Sequence, residues 1–318
     1  MMKLKYFRHA RERLERFTGL TRPAILMYHR VGDPGADPWH IAVSPHRFAE
    51  HMEVLAERRQ VLPLSGLAPG ASRDSGLPQV AITFDDGYAG VIEHAQPVLE
   101  QHGFAATVFV TTGMLGSARE YWWDELTRIV LEHRWSRDVD LPAPRAGAPL
   151  ARIGPSLSRG ELRALHDRLW RELRELADSE RSAWLAQLAD TAGCPLAARA
   201  SHRVMTPAEV SQTVGTLLAI GAHGRSHVPL VALGAPALAE EIAGSRDRCA
   251  ELTGVEPDSF AYPFGDHDDA SVAAVRDAGF ATAVTVLPGV VRPATDPLRL
   301  PRIEVRDWDA AMFAARLP

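Results

Sequence analysis

Short apolar runs alternate along this chain with longer stretches in which apolar residues recur every three or four positions. Short runs rich in β-branched and aromatic side chains are typical of buried strands, and the longer periodic stretches are typical of amphipathic helices. Strands that alternate with helices indicate a parallel α/β sheet. The predicted strands are 24–28, 80–84, 105–111, 217–222, 258–262, 281–286 and 300–305, and the predicted helices include 45–59, 88–102, 235–253 and 268–278.

The stretch from about 113 to 205 interrupts this alternation. It holds the adjacent tryptophans Trp122 and Trp123, a loop rich in proline, glycine and alanine, and a helical segment from Ser158 to about Ala192. We therefore predict a helical insertion here, within a barrel domain that spans 23–318. The two tryptophans would either pack this insertion onto the barrel or stack on the faces of sugar rings.

The composition of the 318 residues is that of an ordinary globular protein, with 46% hydrophobic and 24% charged residues. A formal net charge of −5 argues against general nucleic-acid binding. Cys194 and Cys249 are too few for a disulfide framework and lack the spacing of a metal motif, which favours a reducing compartment. Because no run of about 18 apolar residues occurs, the sequence predicts no membrane span.

The first residues of the sequence are basic. Residues 1–30 carry eight lysines or arginines against Glu12 and Glu15, without the apolar stretch of a secretory signal, so we expect a cytoplasmic protein. We predict a basic helix over 1–22, which would be able to touch an anionic membrane surface and reach a lipid-linked sugar there. The alternative is a solvated helix that packs on the edge of the barrel.

Two adjacent aspartates, Asp85 and Asp86, follow the predicted strand at 80–84 and precede Gly87. Side chains alternate along an extended chain, so the two carboxylates project in different directions. Two like charges this close ionise together only when a cation neutralises one of them, and otherwise one pKa rises. This favours a division of labour in which one aspartate binds a metal and the other transfers protons. The alternative is a pair that caps a helix.

A pair of histidines, His223 and His227, follows the predicted strand at 217–222. Imidazole suits zinc and its neighbours, and two histidines with one carboxylate leave coordination positions open, as in catalytic sites. Active sites of α/β barrels lie at the carboxyl ends of the strands. We therefore expect these histidines to meet the aspartates there, although they would otherwise be surface-loop residues.

At these residues the chain resembles the polysaccharide deacetylases of carbohydrate esterase family 4, which contain the NodB-homology domain. Thr83 to Gly87 is similar to the first motif of that family, His223 to His227 to the His-x-x-x-His motif, and Phe260 to Gly265 to the third motif. Gly224 stands where the family usually has Ser or Thr. The resemblance covers about residues 24 to 308 and implies a distorted (β/α) barrel with about seven parallel strands.

The resemblance also implies roles for individual residues. Asp85 would be the general base, and Asp86, His223 and His227 would bind a divalent metal, for which zinc is expected and cobalt, nickel and manganese are alternatives. The metal and a backbone N–H, such as that of Phe264, would hold the tetrahedral oxyanion.

Two departures from the family pattern lead to further candidates. The third motif often begins with an arginine that pairs with the catalytic aspartate, and here that position is Ala261, so Arg302 is predicted to supply the charge. Many members use a late histidine as general acid, but none follows His267, which is predicted to cap the next helix. His29 is predicted to take this role instead, because Tyr28 to Val31 resembles a segment of the exopolysaccharide (poly-N-acetylglucosamine type) deacetylase branch. The alternatives are that His29 is a core histidine with satisfied hydrogen bonds and that His267 is the acid.

Two aromatic residues complete the predicted substrate and oxyanion group alongside Phe264 and Arg302. Tyr262 belongs to the third motif, and Trp308 would close the pocket for the acetyl group or anchor the core.

The function implied is a metal-dependent hydrolase that removes N-acetyl groups from an N-acetylated glycan or a lipid-linked sugar and releases acetate. An amidohydrolase of the same fold acting on a non-carbohydrate amide is one alternative. A non-catalytic carbohydrate-binding scaffold is another, although the intact set of aspartates and histidines argues against it.

Overall fold

The computed structural model describes residues 22–67, 77–145, 147 and 151–318. The basic helix predicted over 1–22 lies outside these residues apart from Arg22. Among the described residues, no helix has the length and apolar character that a membrane span requires.

The described residues contain twelve strands. Their bounds are β1 Ala24–Tyr28, β2 Arg30–Val31, β3 Ala42–Val43, β4 Gln60–Val61, β5 Gln79–Phe84, β6 Ala106–Val110, β7 Val139–Leu141, β8 Ala151–Ile153, β9 Leu218–Ala222, β10 Ser259–Ala261, β11 Thr282–Pro288 and β12 Leu300–Glu304.

Seven of these strands close into a parallel barrel. The order around the ring is β1-β12-β11-β10-β9-β6-β5, and β5 pairs with β1 to close it. The short strand β4 adds to β5 outside the ring. All seven barrel strands coincide with predicted strands, and the fold is the predicted distorted (β/α) barrel.

Helices follow most of the strands. Their bounds are α1 Pro45–Arg58, α2 Gln96–His102, α3 Trp122–Thr127, α4 Arg159–Arg174, α5 Asp178–Ala192, α6 Pro207–Gln212, α7 Ala235–Thr253, α8 Asp269–Asp277 and α9 Ala310–Arg316. A π-helical turn, Val91–Ala95, leads into α2, and another, Arg128–Glu132, follows α3.

Side chains of the barrel strands alternate between two buried clusters, as the pleat of a strand requires. One cluster faces the barrel axis, because it joins residues of strands that are not neighbours in the ring. The Arg302 guanidinium of β12, for example, lies 5.9 Å from the centre of the Phe109 ring of β6. Gly221 leaves space for this ring, since a Cβ there would lie 2.5 Å from it. The axial cluster includes Ile25, Ala81, Phe109, Ala261, Val284 and Leu300.

The second compact unit comprises Pro34–His40 and Gly116–Val204, whereas the barrel unit contains the rest. Its long segment overlaps the stretch of about 113–205 for which a helical insertion is predicted, and its short segment was not predicted. The predicted helical segment from Ser158 is two helices, α4 and α5, and the antiparallel pair of β7 and β8 was not predicted. Ser158 caps α4 through the amide of Glu161.

Aromatic rings form the core of this second unit. Trp122 and Trp123 are buried, and the Trp122 ring stacks on Trp170 with centroids 5.9 Å apart. Trp170 in turn lies 4.8 Å from Trp39 of the short segment. The two tryptophans therefore contribute to the core of the second unit itself, a packing role that the sequence analysis did not predict.

Candidate active site

Three of the predicted catalytic and metal-binding residues occupy the first position after a barrel strand. His29 follows β1, Asp85 follows β5 and His223 follows β9. The Asp85 amide donates to the Tyr28 carbonyl at 2.9 Å, so the first two chains leave the barrel side by side. The carboxyl ends of the strands therefore bring these residues to one mouth of the barrel.

Asp86, His223 and His227 form a buried group with the donor set of a metal site. The Asp86 Oδ1 atom lies 3.4 Å from His223 Nε2 and 3.2 Å from His227 Nε2. The ligand atoms of all three residues lie within 4.8 Å of one another. One carboxylate and two imidazoles fit a first-row divalent ion such as zinc and leave coordination positions open.

The His223 ring is oriented by the protein backbone. Its Nδ1 lies 2.7 Å from the Ala261 carbonyl oxygen, which can only accept, so Nδ1 carries a proton and Nε2 faces Asp86. Orientation of this kind is typical of metal-binding histidines. Ala261, which occupies the position where the family often has an arginine, thus contributes its backbone carbonyl group to the site.

Backbone strain concentrates around the metal group. Asp86, His227 and Phe264 have φ angles of 71°, 54° and 58°, and they are three of the four non-glycine residues with positive φ in the described part of the chain. Side chains disfavour this left-handed conformation, so the surrounding fold must impose it. The Phe264 ring meets His227 edge to face, with centroids 4.5 Å apart.

Asp85 has a different partner, the buried Arg302 of β12. Arg302 Nη1 and Nη2 donate to the two carboxylate oxygens at 2.7 and 2.6 Å. Burial raises the pKa of Asp85, but the charge and hydrogen bonds of Arg302 outweigh it and keep the pKa below its ordinary value. Asp85 is therefore ionised at neutral pH.

Two neighbours that the sequence did not reveal hold Arg302 in place. Its Nη1 also donates to Thr83 Oγ1 at 3.1 Å, and its Nε donates to the Thr285 carbonyl at 2.9 Å. The register between β11 and β12 shifts here, with Val284 opposite Leu300 but Pro288 opposite Arg302. This bulge changes the direction of the β11 backbone so that the Thr285 carbonyl accepts from the Arg302 guanidinium.

The pKa values of Asp86, His223 and His227 depend on one another. Burial opposes ionisation of Asp86, but hydrogen bonds with His223 and His227 keep its pKa well below the ordinary value. Burial lowers the pKa of His227, whereas at His223 the two aspartates outweigh burial and raise the pKa. A positive charge on His29 would lower the pKa of both Asp85 and Asp86.

The loop between the two histidines is fixed by Glu241, which the sequence analysis missed. The buried Glu241 Oε1 accepts from the backbone amides of Arg225 and Ser226 at 2.8 and 2.5 Å, and its carboxylate accepts from the Ser226 hydroxyl. A Cβ at Gly224 would lie 3.0 Å from the same oxygen at a φ of +75°, which explains the glycine there. A glutamate within the apolar stripe of α7 was the available signal.

The remaining candidates lie in other surroundings. The Tyr262 hydroxyl donates to the Leu298 carbonyl at 2.9 Å inside the core. Trp308 packs against the buried cluster on the side of the strands away from the barrel axis, with the Arg316 guanidinium 4.4 Å above its ring. The prediction that His267 caps the next helix is wrong, because the Asp268 side chain accepts from the Ser271 amide in that position. The shorter Asp268 carboxylate reaches the amides of the first turn.

A comparison with known protein families gives one match. A sequence profile of the polysaccharide deacetylase family matches residues 72–135 and 189–283, which together make up half of the chain. These segments contain Asp85, Asp86, His223 and His227. A search of curated protein sequences gave no match.

Solved structures are similar in fold. A polysaccharide deacetylase from Bacillus cereus has a TM-score of 0.59 at 16% identity and covers 94% of this chain and 69% of its own. The Streptococcus pyogenes deacetylase PplD, solved in complex with acetate, has a TM-score of 0.56 at 16% identity and covers 94% and 99%. IcaB from Ammonifex degensii has a TM-score of 0.56 at 19% identity and covers 93% and 96%. Because the family profile matches half of the chain, this protein belongs to the polysaccharide deacetylase family.

Proposed function

We propose that this protein is a metal-dependent hydrolase that removes N-acetyl groups from an N-acetylated sugar or polysaccharide and releases acetate. The observation that carries the proposal is the division of partners between two adjacent buried aspartates. Asp85 is paired with Arg302, and Asp86 faces the two imidazoles of His223 and His227. This difference in partners supports a proton-transfer role for Asp85 and a cation-binding role for Asp86.

Asp86, His223 and His227 would hold the metal, and the Ala261 carbonyl would keep the His223 ring in place. Bound there, a divalent ion lowers the pKa of a water molecule and polarises the amide carbonyl. The donor set supports zinc, and cobalt, nickel and manganese remain alternatives.

Asp85 acts as the general base. It takes a proton from water as the water oxygen forms a bond to the acyl carbon, and Arg302 keeps the carboxylate ionised and oriented for this step. A lowered pKa weakens a base, but it ensures that the carboxylate is in its reactive form across the neutral range.

His29 acts as the general acid. When the carbon–nitrogen bond breaks, protonated His29 donates to the leaving amine, which gives acetate and a free amino sugar. Its partly exposed position beside both aspartates suits this task, and histidine exchanges protons near neutral pH. The Phe264 amide, in the strained turn beside His227, is our candidate for stabilising the oxyanion.

An N-acetylated glycan is the substrate class that the family supports. The fold similarity to IcaB favours the exopolysaccharide branch, as does the use of Arg302 and His29 in place of the more common arginine and late histidine. A lipid-linked sugar substrate with peripheral membrane contact is a further proposal, based on the basic composition of residues 1–22 alone. The free, buried Cys194 and Cys249 support a cytoplasmic location.

Acetate release from short N-acetylglucosamine oligomers by zinc-loaded protein tests this function. We expect release by the wild type and a loss of about a hundredfold or more in His29→Ala, which should regain activity with substrates whose leaving amine needs no proton. His267→Ala is the matched control and should remain active. Absence of release from folded, zinc-loaded wild type would contradict a glycan deacetylase and favour a non-carbohydrate amide.

A further inference from the structure

A buried hydroxyl without a hydrogen-bond partner lies at the mouth of the barrel. Thr111 is the first residue after β6 and is fully buried, and its Oγ1 is bonded to no other described group. Nearly all buried polar groups in folded proteins have a partner, and an unpaired hydroxyl lowers stability. The Thr111 hydroxyl is therefore available to a water molecule or ligand at the barrel mouth.

The position of Thr111 along the ring is between the two strands that carry the proposed metal ligands. Strand β6 pairs with β5, which leads into Asp85 and Asp86, and with β9, which leads into His223. Two backbone hydrogen bonds flank Thr111, one from the His223 amide to the Val110 carbonyl and one from the Thr112 amide to the Gly224 carbonyl. Thr111 is thus fixed opposite the beginning of the histidine loop.

The side chain of Thr111 faces the barrel axis. Phe109, two residues earlier on the same strand, belongs to the axial cluster and lies below Arg302. Residues two apart on a strand face the same side, and Thr111 extends this face by one step. Asp85 lies on the axial face of the neighbouring strand in the same way, two residues after Thr83, which contacts Arg302.

We propose that Thr111 is a further catalytic residue whose hydroxyl forms a hydrogen bond to the water that attacks the acyl carbon. This inference rests on the proposed function. Asp85 accepts one proton of that water, but both of its oxygens also accept from Arg302, so Asp85 alone fixes the water poorly. Ordered water in a protein interior usually makes about three hydrogen bonds. A hydroxyl can supply one of these as donor or acceptor, and it keeps its own proton throughout the reaction.

Thr111→Val removes the hydroxyl and preserves the shape of the side chain. We expect kcat for acetate release to fall about 10- to 100-fold with KM unchanged, in the range of a single hydrogen bond that acts in the transition state. Thr111→Ser should retain kcat within about threefold. Thr107→Val, the same change at a buried position deeper on β6, is the control and should also retain activity.

Two further measurements on Thr111→Val do not depend on turnover. Zinc affinity, measured by chelator competition, should stay within about twofold, because Thr111 is not a ligand. The midpoint of thermal unfolding should rise by about 1–3 °C, because an unpaired buried hydroxyl is removed, whereas the loss of a structural hydrogen bond would lower it.

Four results would overturn the inference. Retained kcat in Thr111→Val, beside an active wild type, would remove Thr111 from the mechanism and leave the proposed function intact. A higher KM and weaker inhibition by acetate with unchanged kcat would place the hydroxyl on the acyl group rather than on the water. A lower unfolding midpoint would show that the hydroxyl has a structural partner. If the wild type releases no acetate, the proposed function fails and this inference fails with it.

Discussion

Two clusters of buried carboxylates, one at the barrel mouth and one within the second unit, have different partners. In the second unit, Glu120 accepts from Arg199 Nε and Nη2 at 2.7 and 2.8 Å, and Glu125 accepts from Arg119 at 2.7 and 2.5 Å. Each of these glutamates is neutralised by an arginine, which has no proton to exchange at neutral pH.

The barrel mouth contains one carboxylate paired with an arginine and one that faces histidines. Asp85 is paired with Arg302 in the same bidentate manner, but Asp86, the next residue, faces the imidazoles of His223 and His227. Imidazoles can bind a metal or change protonation state, whereas a guanidinium can do neither. Burial of a charge therefore does not identify a functional site, but the identity of its partners does.

The strongest test of this comparison is the removal of one charge from the barrel mouth. Asp85→Asn keeps the shape of the side chain and an oxygen that accepts from Arg302, but it cannot take a proton. We expect kcat for acetate release to fall by about 10³-fold, as for the loss of a general base, with zinc affinity within about twofold of the wild type. Retained kcat would contradict the assigned role, and loss of zinc would place Asp85 among the ligands.

The corresponding change in the second unit should affect stability and not chemistry. Arg199→Met leaves Glu120 buried without its main cation, so we expect the free energy of unfolding to fall by about 3 kcal/mol in chemical denaturation. The kcat of the folded protein should stay within about twofold. Arg152→Met, which breaks an exposed ion pair with Asp140, is the control and should leave the unfolding midpoint unchanged. A loss of kcat in folded Arg199→Met would remove the distinction between the clusters.

A substitution outside both clusters tests whether the histidine loop needs its anchor in order to bind the metal. Glu241→Gln retains an acceptor for the histidine loop but loses the charge that faces two amides and a hydroxyl, so we expect zinc affinity to fall about tenfold. Chelator competition measures this directly. Glu251→Gln changes an exposed glutamate of the same helix, which is paired with Arg248, and should have no effect. Equal affinities in the two variants would show that the loop does not need its anchor.

The smallest expected effect is the contribution of His166, in the second unit, to the pH dependence of stability. Burial lowers the pKa of His166, although Asp167 partly opposes this. A histidine in the unfolded chain has a pKa of about 6.5. As the pH falls below that value, the unfolded state therefore binds a proton before the folded state does. The free energy of unfolding should decrease until the pH reaches the lowered pKa of His166 in the folded protein.

His166→Gln removes this proton linkage. The dependence of the unfolding free energy on pH should become shallower between about pH 6.5 and 5, by at most about 1.4 kcal/mol per pH unit. Denaturation at several pH values measures the slope. Identical slopes in wild type and variant would mean that His166 is protonated equally in both states.

The barrel was accessible from the sequence because its strands are buried on both faces. Such strands appear as continuous apolar runs, and β1 was predicted with the bounds that it has in the structure. Polar residues directly after these runs then identified His29, Asp85 and His223. Thr111 was not identified in this way, because the predicted strand extended through residue 111, one residue past the end of β6.

The parts that the sequence did not reveal depend on contacts between distant residues. Nothing in the pattern assigns Pro34–His40 to the second unit, where the Ala36 amide donates to Glu132 at 3.1 Å. The break between α4 and α5 falls in Glu175–Leu176–Ala177, three residues with good or moderate helix propensity, so packing overrides local preference there. Arg302 was predicted only because Ala261 left Asp85 without an expected partner.

The measurement that tests the central claim most directly is acetate release from an N-acetylglucosamine oligomer as zinc is titrated into metal-free protein. We predict no release without metal, a linear rise in rate and saturation at one zinc per chain, with Asp86→Asn and His223→Ala failing to respond over the same range. Release that is independent of zinc, or that saturates equally in these variants, would contradict a hydrolase whose metal is bound by Asp86, His223 and His227.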